Sequence, residues 1–437
     1  MMVIFMVLVG FTVFFCNFSY KYFLSNSFFL IVVYLLLNCG GLLDWYFIGY
    51  NLGLNLYSYY LVMLVFLMMG IVISIINNDD FMCVIVNLFL SLILFLAFSS
   101  LSFLMFYFFF EVSLVLVYVI ILKWGLGIMR LISSYYFMFY TLFFSLPLLV
   151  FILYIVYDYN SSIMLVLELM GVYVNNYLYI YMCMGFLLKI PMYMFHGWLL
   201  KAHVEAPVFG SMILASILLK LGTYGMLRFL LIFYLNSLFF SIYVLIFSII
   251  GGIYISCLCL RQIDMKVLVA YSSVVHMGLL LSGMFTLLKT GLVGSYILMI
   301  SHGLCSSGLF YLVNVFYSES NSRLMLINKG LLTYMPSMMM LWFFLCSSNM
   351  ASPVSLNLVG EILLMVSLII WMKFIFVFLV FYAFFSFTYS LYMYSYVCHG
   401  SSFISLSMGG GVMLDYFILL LHWVPLNLLF LNLIMFC

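Results

Sequence analysis

The sequence predicts an all-α polytopic membrane protein of about fourteen transmembrane helices. Three observations carry that reading. Hydrophobic residues make up 69% of the 437 positions and charged residues 5%, where a soluble domain would carry about 25% charge. The apolar residues fall in long unbroken runs, without the strict alternation of a membrane strand barrel. A spanning helix needs about 20 such residues, and the runs recur along the whole chain.

The expected spans, in order, are 2–19, 23–40, 56–76, 81–99, 102–122, 135–157, 176–199, 209–227, 231–259, 267–286, 291–317, 331–368, 374–397 and 411–432. The first lacks a basic leading region and reads as a membrane helix, not a cleaved signal. No Arg- and Ser-rich leader is visible. Only 40–55 and 158–175 are connections long enough for surface structure. No segment is suited to a separate soluble domain, so no nucleotide, flavin or iron–sulfur site is expected in this chain. The ten Cys show no C-x-x-C and no metal-ligand spacing with His, and read as small buried hydrophobes. The net charge of +2 points to no nucleic-acid partner.

Loop charge gives an orientation. Connections after odd-numbered spans hold Lys21, Lys123, Arg130, Lys201, Arg261, Lys266, Arg323 and Lys329. Those after even-numbered spans hold Arg228, Lys289 and Lys373. Loops on the inner side of a membrane carry the excess of cations, so the odd connections face inward and both termini outward.

Two spans look interrupted. The seventh has Pro191 two residues after Lys189. The twelfth carries S-S-N-M-A-S-P (347–353) in mid-run, eight residues before Glu361. Proline removes a backbone donor, and freed backbone groups in hydrocarbon must be satisfied by protein or water. Broken helices at mid-membrane are where transporters build ion sites.

The informative residues are ionisable groups inside these spans. Glu111 follows L-M-F-Y-F-F-F and has no charged residue within ten positions. Lys189 (G-F-L-L-K-I-P) and Lys220 (S-I-L-L-K-L-G) lie in successive spans. His276 (Y-S-S-V-V-H-M-G) and His302 (L-M-I-S-H-G-L) sit in the tenth and eleventh, and Glu361 in the twelfth. A charge at the centre of a membrane helix costs about 2.5–3.5 kcal/mol on insertion scales. For each residue there is a plain alternative: a lysine snorkelling to the interface, a glutamate at a helix end, or a histidine held by a hydrogen bond. Six such groups on spans 5, 7, 8, 10, 11 and 12 favour a polar axis for proton transfer. Histidine exchanges protons near pH 6.5. Ser272, Ser273, Ser301, Ser306 and Ser307 are expected to hold water or cross-link helices.

Weaker features complete the survey. K-A-H-V-E-A-P (201–207) is a compact charged turn or helix cap, and His196 before it either lines the path or anchors the interface. Gly409, Gly410 and Gly411 suggest a loop. His399 and His422 look interfacial. The 34 Met and the aromatic residues read as packing or lipid-facing.

The stretch K-I-P-M-Y-M-F-H-G-W-L-L-K-A-H-V-E-A-P-V-F-G-S-M-I-L-A-S-I-L-L-K-L-G-T-Y-G (189–225) resembles the signature region of the NADH–ubiquinone oxidoreductase chain 4 family. These are mitochondrially encoded, antiporter-like membrane-arm subunits of respiratory complex I. F-F-E-V-S-L (109–114), Y-F-M-F-Y-T-L-F-F-S-L-P (136–147), R-Q-I-D-M-K-V-L-V-A-Y-S-S-V-V-H-M-G (261–278), S-H-G-L-C-S-S-G-L-F (301–310) and N-L-V-G-E (357–361) agree, in order, over about 100–400. Two positions depart from the family: Leu116 and Leu200 stand where it usually has proline. The low proline count and many Phe, Tyr and Leu fit a biased, AT-rich organelle genome.

The resemblance implies an antiporter-like fold with two inverted five-helix repeats and broken helices 7 and 12. The implied organisation is an N-terminal group 1–80, a first repeat 81–228, a second repeat 229–397 and a last helix in 398–437. It implies proton transfer through Glu111, Lys189, Lys220, His276, His302 and Glu361. Lys189 would be protonated from the inner side beside ionised Glu111. A push from a neighbouring subunit would weaken that pair. The proton would then pass through Lys220, water and the histidines to Glu361, which releases it outward. No redox centre is implied in this chain; FMN, iron–sulfur clusters and ubiquinone belong to the complex. Implied partners are other membrane-arm subunits, above all the two neighbouring antiporter-like ones, accessory subunits and phospholipids, in the mitochondrial inner membrane. The alternative is a subunit of a multisubunit cation/proton antiporter, which shares the charged axis.

Overall fold

The computed structural model describes residues 21–38, 46–47, 51–77, 80–401 and 411–436. The expected span 2–19, Gly409, Gly410, Cys16, Cys39 and Cys437 lie outside them. The described chain is almost entirely helical. In order the helices are α1 (Lys21–Leu37), α2 (Leu56–Ile75), α3 (Phe81–Ser99), α4 (Phe103–Trp124), α5 (Arg130–Tyr159), α6 (Met164–Met170), α7 (Asn176–Lys189) and α8 (Gly197–Glu205). Then follow α9 (Val208–Ile232), α10 (Tyr234–Cys259), α11 (Met265–Phe285), α12 (Lys289–Ser320), α13 (Pro336–Asn349), α14 (Leu356–Trp371), α15 (Ile375–Cys398) and α16 (Met413–Leu431). Among the described residues ten helices are long and apolar enough to cross a membrane. The two long connections do carry structure. In 40–55 a short antiparallel pair joins Tyr46–Phe47 to Gly53–Leu54, and 158–175 contains α6.

The chain forms two compact units. The first comprises Met1–Ile190 and Glu205–Ser237; the second comprises Pro191–Val204 and Leu238–Cys437. In the first, α2 and α9 are the buried centre, and α1, α3, α4, α5 and α7 pack in succession around it. In the second, the central stretch of α12 is buried and is packed by α11, α13, α14 and α16. The spans with these buried central stretches, α9 and α12, are the least apolar of the ten. Their faces meet protein, where polar groups find partners; outer helices meet lipid and must be uniformly apolar.

Local chemistry sets the helix starts. Asn55 caps α2: its Oδ1 accepts from the Ser58 amide at 3.0 Å, and the Ser58 hydroxyl accepts from the Asn55 amide at 2.9 Å. Ser102 caps α4 through the Met105 amide. Pro336 occupies the first turn of α13, where a missing N–H costs nothing. That starts α13 five residues after the expected position 331.

Both expected breaks are present. α7 ends at Lys189, turns occupy 190–196, and α8 resumes at Gly197. α13 ends at Asn349 and α14 begins at Leu356. Among the described residues, three of the six non-glycine positions with positive φ lie in these gaps: Met194 (76°), Ala351 (54°) and Val354 (74°). A side chain in that region costs of order 1–3 kcal/mol and persists only where the surroundings impose it. A third interruption was not expected. Within α9, residues Leu214–Leu218 form a π-helical turn directly before Lys220, a feature that frequently marks functional sites.

Candidate proton-transfer sites

In the first unit, α4 and α7 bring Glu111 and Lys189 together. Lys189 Nζ donates to Glu111 Oε1 at 3.1 Å and lies 2.7 Å from the centre of the Phe110 ring. The side chains are 5% and 16% exposed. The lysine is therefore no snorkelling residue: it is held by a carboxylate and an aromatic face. Its position depends on Gly222. A Cβ there would stand 3.2 Å from Lys189 Cβ and 3.2 Å from Ile190 Cγ1, so the bare glycine lets α9 lie directly against the break.

Two residues earlier on α9, Lys220 is fully buried and donates to the Ala215 carbonyl at 2.6 Å. The carbonyl it takes belongs to the π turn of the same helix.

The first unit also holds an ion pair that the sequence did not reveal. Arg228, counted above as a loop cation, lies inside α9 and is 2% exposed. Its Nη1 meets Glu168 Oε1 of α6 at 3.4 Å, and its Nε donates to the Tyr224 hydroxyl at 3.2 Å. Glu168 lay in a stretch read as surface connection. Nothing local signals that the short α6 folds onto α9. Lys266 is likewise no loop residue: it sits in the first turn of α11, 6% exposed, and donates to the Val204 carbonyl at 3.3 Å within the second unit.

In the second unit, α11, α12, α13, α14 and α15 converge on His276. Its Nδ1 lies 3.2 Å from Glu361 Oε1, and its Nε2 lies 3.1 Å from Asn349 Oδ1 and 3.3 Å from the Tyr389 hydroxyl. The His302 ring centre is 5.6 Å from that of His276. His276, His302, Asn349 and Tyr389 are at most 3% exposed, and Glu361 is 9% exposed. Sequence reading found both histidines and Glu361 but missed Asn349 and Tyr389. Asn349 stood inside the quoted S-S-N-M-A-S-P motif. Tyr389 is one of 36 tyrosines and carries no local mark.

Ser272, Ser273, Ser301, Ser306 and Ser307 each donate to a carbonyl of their own helix. Asn357 Nδ2 bridges the second break to the Ser348 carbonyl at 2.8 Å, and Tyr382 donates to the Val275 carbonyl. His422 is not interfacial: it is fully buried within α16, with Nδ1 2.8 Å from the Ile418 carbonyl. His196 stacks near Tyr193 and Tyr271. Among the described residues no group of three or more His, Cys, Asp or Glu is arranged to hold a metal.

Each unit thus holds a buried acid–base pair whose one member sits beside an interrupted helix. The family model for NADH:quinone oxidoreductase/Mrp antiporter transmembrane proteins matches residues 100–386. The NADH-ubiquinone oxidoreductase chain 4 of Apis mellifera ligustica is 50% identical over 408 residues, covering 92% of this chain and 91% of that protein. The same-named protein of Ceratitis capitata is 45% identical over 392 residues, 88% of each. A subunit of respiratory complex I from Thermus thermophilus superimposes with a TM-score of 0.86 at 20% identity, over 97% of this chain and 92% of that one. A chain of the Mrp complex from Dietzia sp. gives 0.87 at 14% identity, over 99% and 94%. These last two show a common fold. The chain belongs to the NADH-ubiquinone oxidoreductase chain 4 family.

Proposed function

We propose that this chain is a proton-translocating membrane-arm subunit of mitochondrial NADH:ubiquinone oxidoreductase, a multi-pass protein of the inner membrane. In that role it joins electron transfer from NADH to ubiquinone, carried out elsewhere in the complex, to proton movement. The observation that carries this reading is the Glu111–Lys189 pair at 3.1 Å beside the first break. It is a buried ion pair made through a single carboxylate oxygen: among the described residues Glu111 Oε2 has no hydrogen-bond partner. Such a pair is costly to bury and incompletely satisfied, so a modest change in the surrounding field can separate it. Separation leaves a desolvated ammonium without its counter-charge, the state from which a proton leaves most readily.

Lys189 takes up a proton with Glu111 ionised nearby. A charge shift in an adjoining antiporter-like subunit parts the pair, and Lys220 accepts the proton. His276, with His302 next to it, passes it to Glu361, the outward release group. On this reading 81–228 and 229–397 are inverted repeats, with Lys189 and Glu361 at equivalent breaks. The flavin, iron–sulfur clusters and quinone reside in other subunits. Adjacent membrane-arm and accessory subunits and phospholipids surround the chain.

A stand-alone cation/proton antiporter would share the charged pairs, but the extended identity to chain 4 proteins favours complex I. Purification separates the two: this chain should co-migrate with flavin and iron–sulfur subunits. The direct test is proton uptake by vesicles containing the assembled enzyme. Neutralising Lys189 or Glu361 should abolish most of it while NADH oxidation by a water-soluble acceptor continues. Unchanged uptake in both variants would refute the reading.

A further inference from the structure

Asn349 stands where both states of His276 need a partner. It is the last residue of α13, at the lip of the second break, and 2% exposed. Its Oδ1 is 3.1 Å from His276 Nε2, while its own Nδ2, buried, has no hydrogen-bond partner among the described residues. The opposite ring nitrogen, Nδ1, faces Glu361 Oε1 at 3.2 Å. The groups facing His276 are therefore a carboxylate from α14, an amide from α13, a hydroxyl from α15 (Tyr389, 3.3 Å from Nε2) and the His302 ring from α12.

An amide oxygen only accepts, so the observed orientation suits a His276 that carries a proton on Nε2. A neutral ring protonated on Nδ1 instead presents a lone pair at Nε2 and wants a donor there. The idle Nδ2 of Asn349 is that donor, half a turn away about a side-chain torsion with a broad, shallow profile. The end of α13 leaves the residue free of a continuing helix.

We propose that Asn349 is a positioning residue for proton transfer between His276 and Glu361, its amide turning over as the proton on Nε2 comes and goes. The inference rests on the proton-transfer reading above. The step balances as follows. An arriving proton forms the Nε2–H bond, which Asn349 Oδ1 accepts. The Nδ1–H bond breaks and its proton passes to the Glu361 carboxylate, which becomes the neutral acid. The ring is then neutral and protonated on Nε2. After Glu361 releases its proton, the ring resets through a water molecule: the Nε2–H bond breaks and its proton passes to the water, which gives up another of its protons to Nδ1, and the turned amide donates to the lone pair restored at Nε2.

The test compares Asn349→Leu, which can neither accept nor donate, with Asn349→Asp, which when ionised only accepts, in the assembled enzyme in vesicles. Both should lower proton uptake per NADH about tenfold, the worth of a hydrogen bond to a charged group, and both should raise the solvent deuterium isotope effect on uptake. Full uptake in either variant overturns the proposal, and so does a loss with the isotope effect unmoved, which marks a merely structural role. If the variants do not assemble, infrared difference spectra of the unmodified enzyme between resting and turning-over states decide. An asparagine amide carbonyl band must shift together with the imidazole bands; its constancy overturns the proposal. Glu361→Gln run in parallel separates the two levels. Normal uptake there removes the proton-transfer reading itself, whereas loss there beside full uptake in Asn349→Leu removes only the role of Asn349.

Discussion

Lys189 and Glu111, 78 positions apart in sequence, meet at 3.1 Å where α4 and α7 of the first unit come together. The contact uses one carboxylate oxygen and one ammonium, with the Phe110 ring under the cation. Removing one partner of a buried pair strands the other charge, at a cost of about 3–5 kcal/mol. Glu111→Gln or Lys189→Met should therefore lower the thermal stability of the assembled enzyme. The double variant Glu111→Gln/Lys189→Met should recover most of that stability without recovering proton uptake. A double variant that pumps would show the pair to be structural only.

Lys220 is fully buried and donates to a backbone carbonyl of the π turn. Loss of a proton-transfer group lowers rates by about 10²–10⁴-fold. Lys220→Met should lower proton uptake in that range while NADH oxidation by a water-soluble acceptor continues. Uptake at the wild-type rate would exclude Lys220 from the path.

Glu361→Gln keeps the size of the side chain and can still bond His276, but removes the group that takes and releases the proton. Loss of such a group lowers rates by about 10²–10⁴-fold. Proton uptake should fall in that range, and NADH oxidation by a water-soluble acceptor should not change. Equal losses in both assays would point to failed assembly.

Gly222→Leu tests the close approach of α9 to the first break. The added Cβ alone would stand 3.2 Å from Lys189 Cβ and from Ile190 Cγ1, so the larger side chain must displace them. Overpacking of this kind costs about 1–3 kcal/mol, and here it also shifts the lysine from Glu111. The melting temperature and proton uptake should fall together; an unchanged uptake would show that the lysine's placement tolerates movement.

Arg228 and Glu168 make a prediction about stability without one about pumping. Their pair joins α6 to α9 through a guanidinium that also meets Tyr224. Glu168→Gln should raise hydrogen exchange in 160–175 selectively. Uniform exchange across the chain would show that this pair does not hold α6.

The sequence by itself determined the class of fold, the two interruptions and the identity of six ionisable residues within greasy spans. Those features are local: charge against hydropathy, proline against helix, and motif strings that need no partner to be recognised. It also misjudged Arg228, Lys266 and His422 as loop or interfacial groups, because a polar residue near the end of an apolar run looks the same whether it meets water or protein. The family resemblance already implied Glu111 beside Lys189; only the tertiary structure gave that pair its 3.1 Å contact and joined His276 to Glu361. It alone showed that a π turn serves Lys220 and that Asn349 and Tyr389 complete the second site. The cross-helix contacts at the two sites join residues 73 to 113 positions apart, as in Asn349–His276 and Tyr389–His276. They arise from the packing of whole helices, in which each side chain's partner is set by the rotation and depth of its helix, and hydropathy along a single chain carries neither quantity.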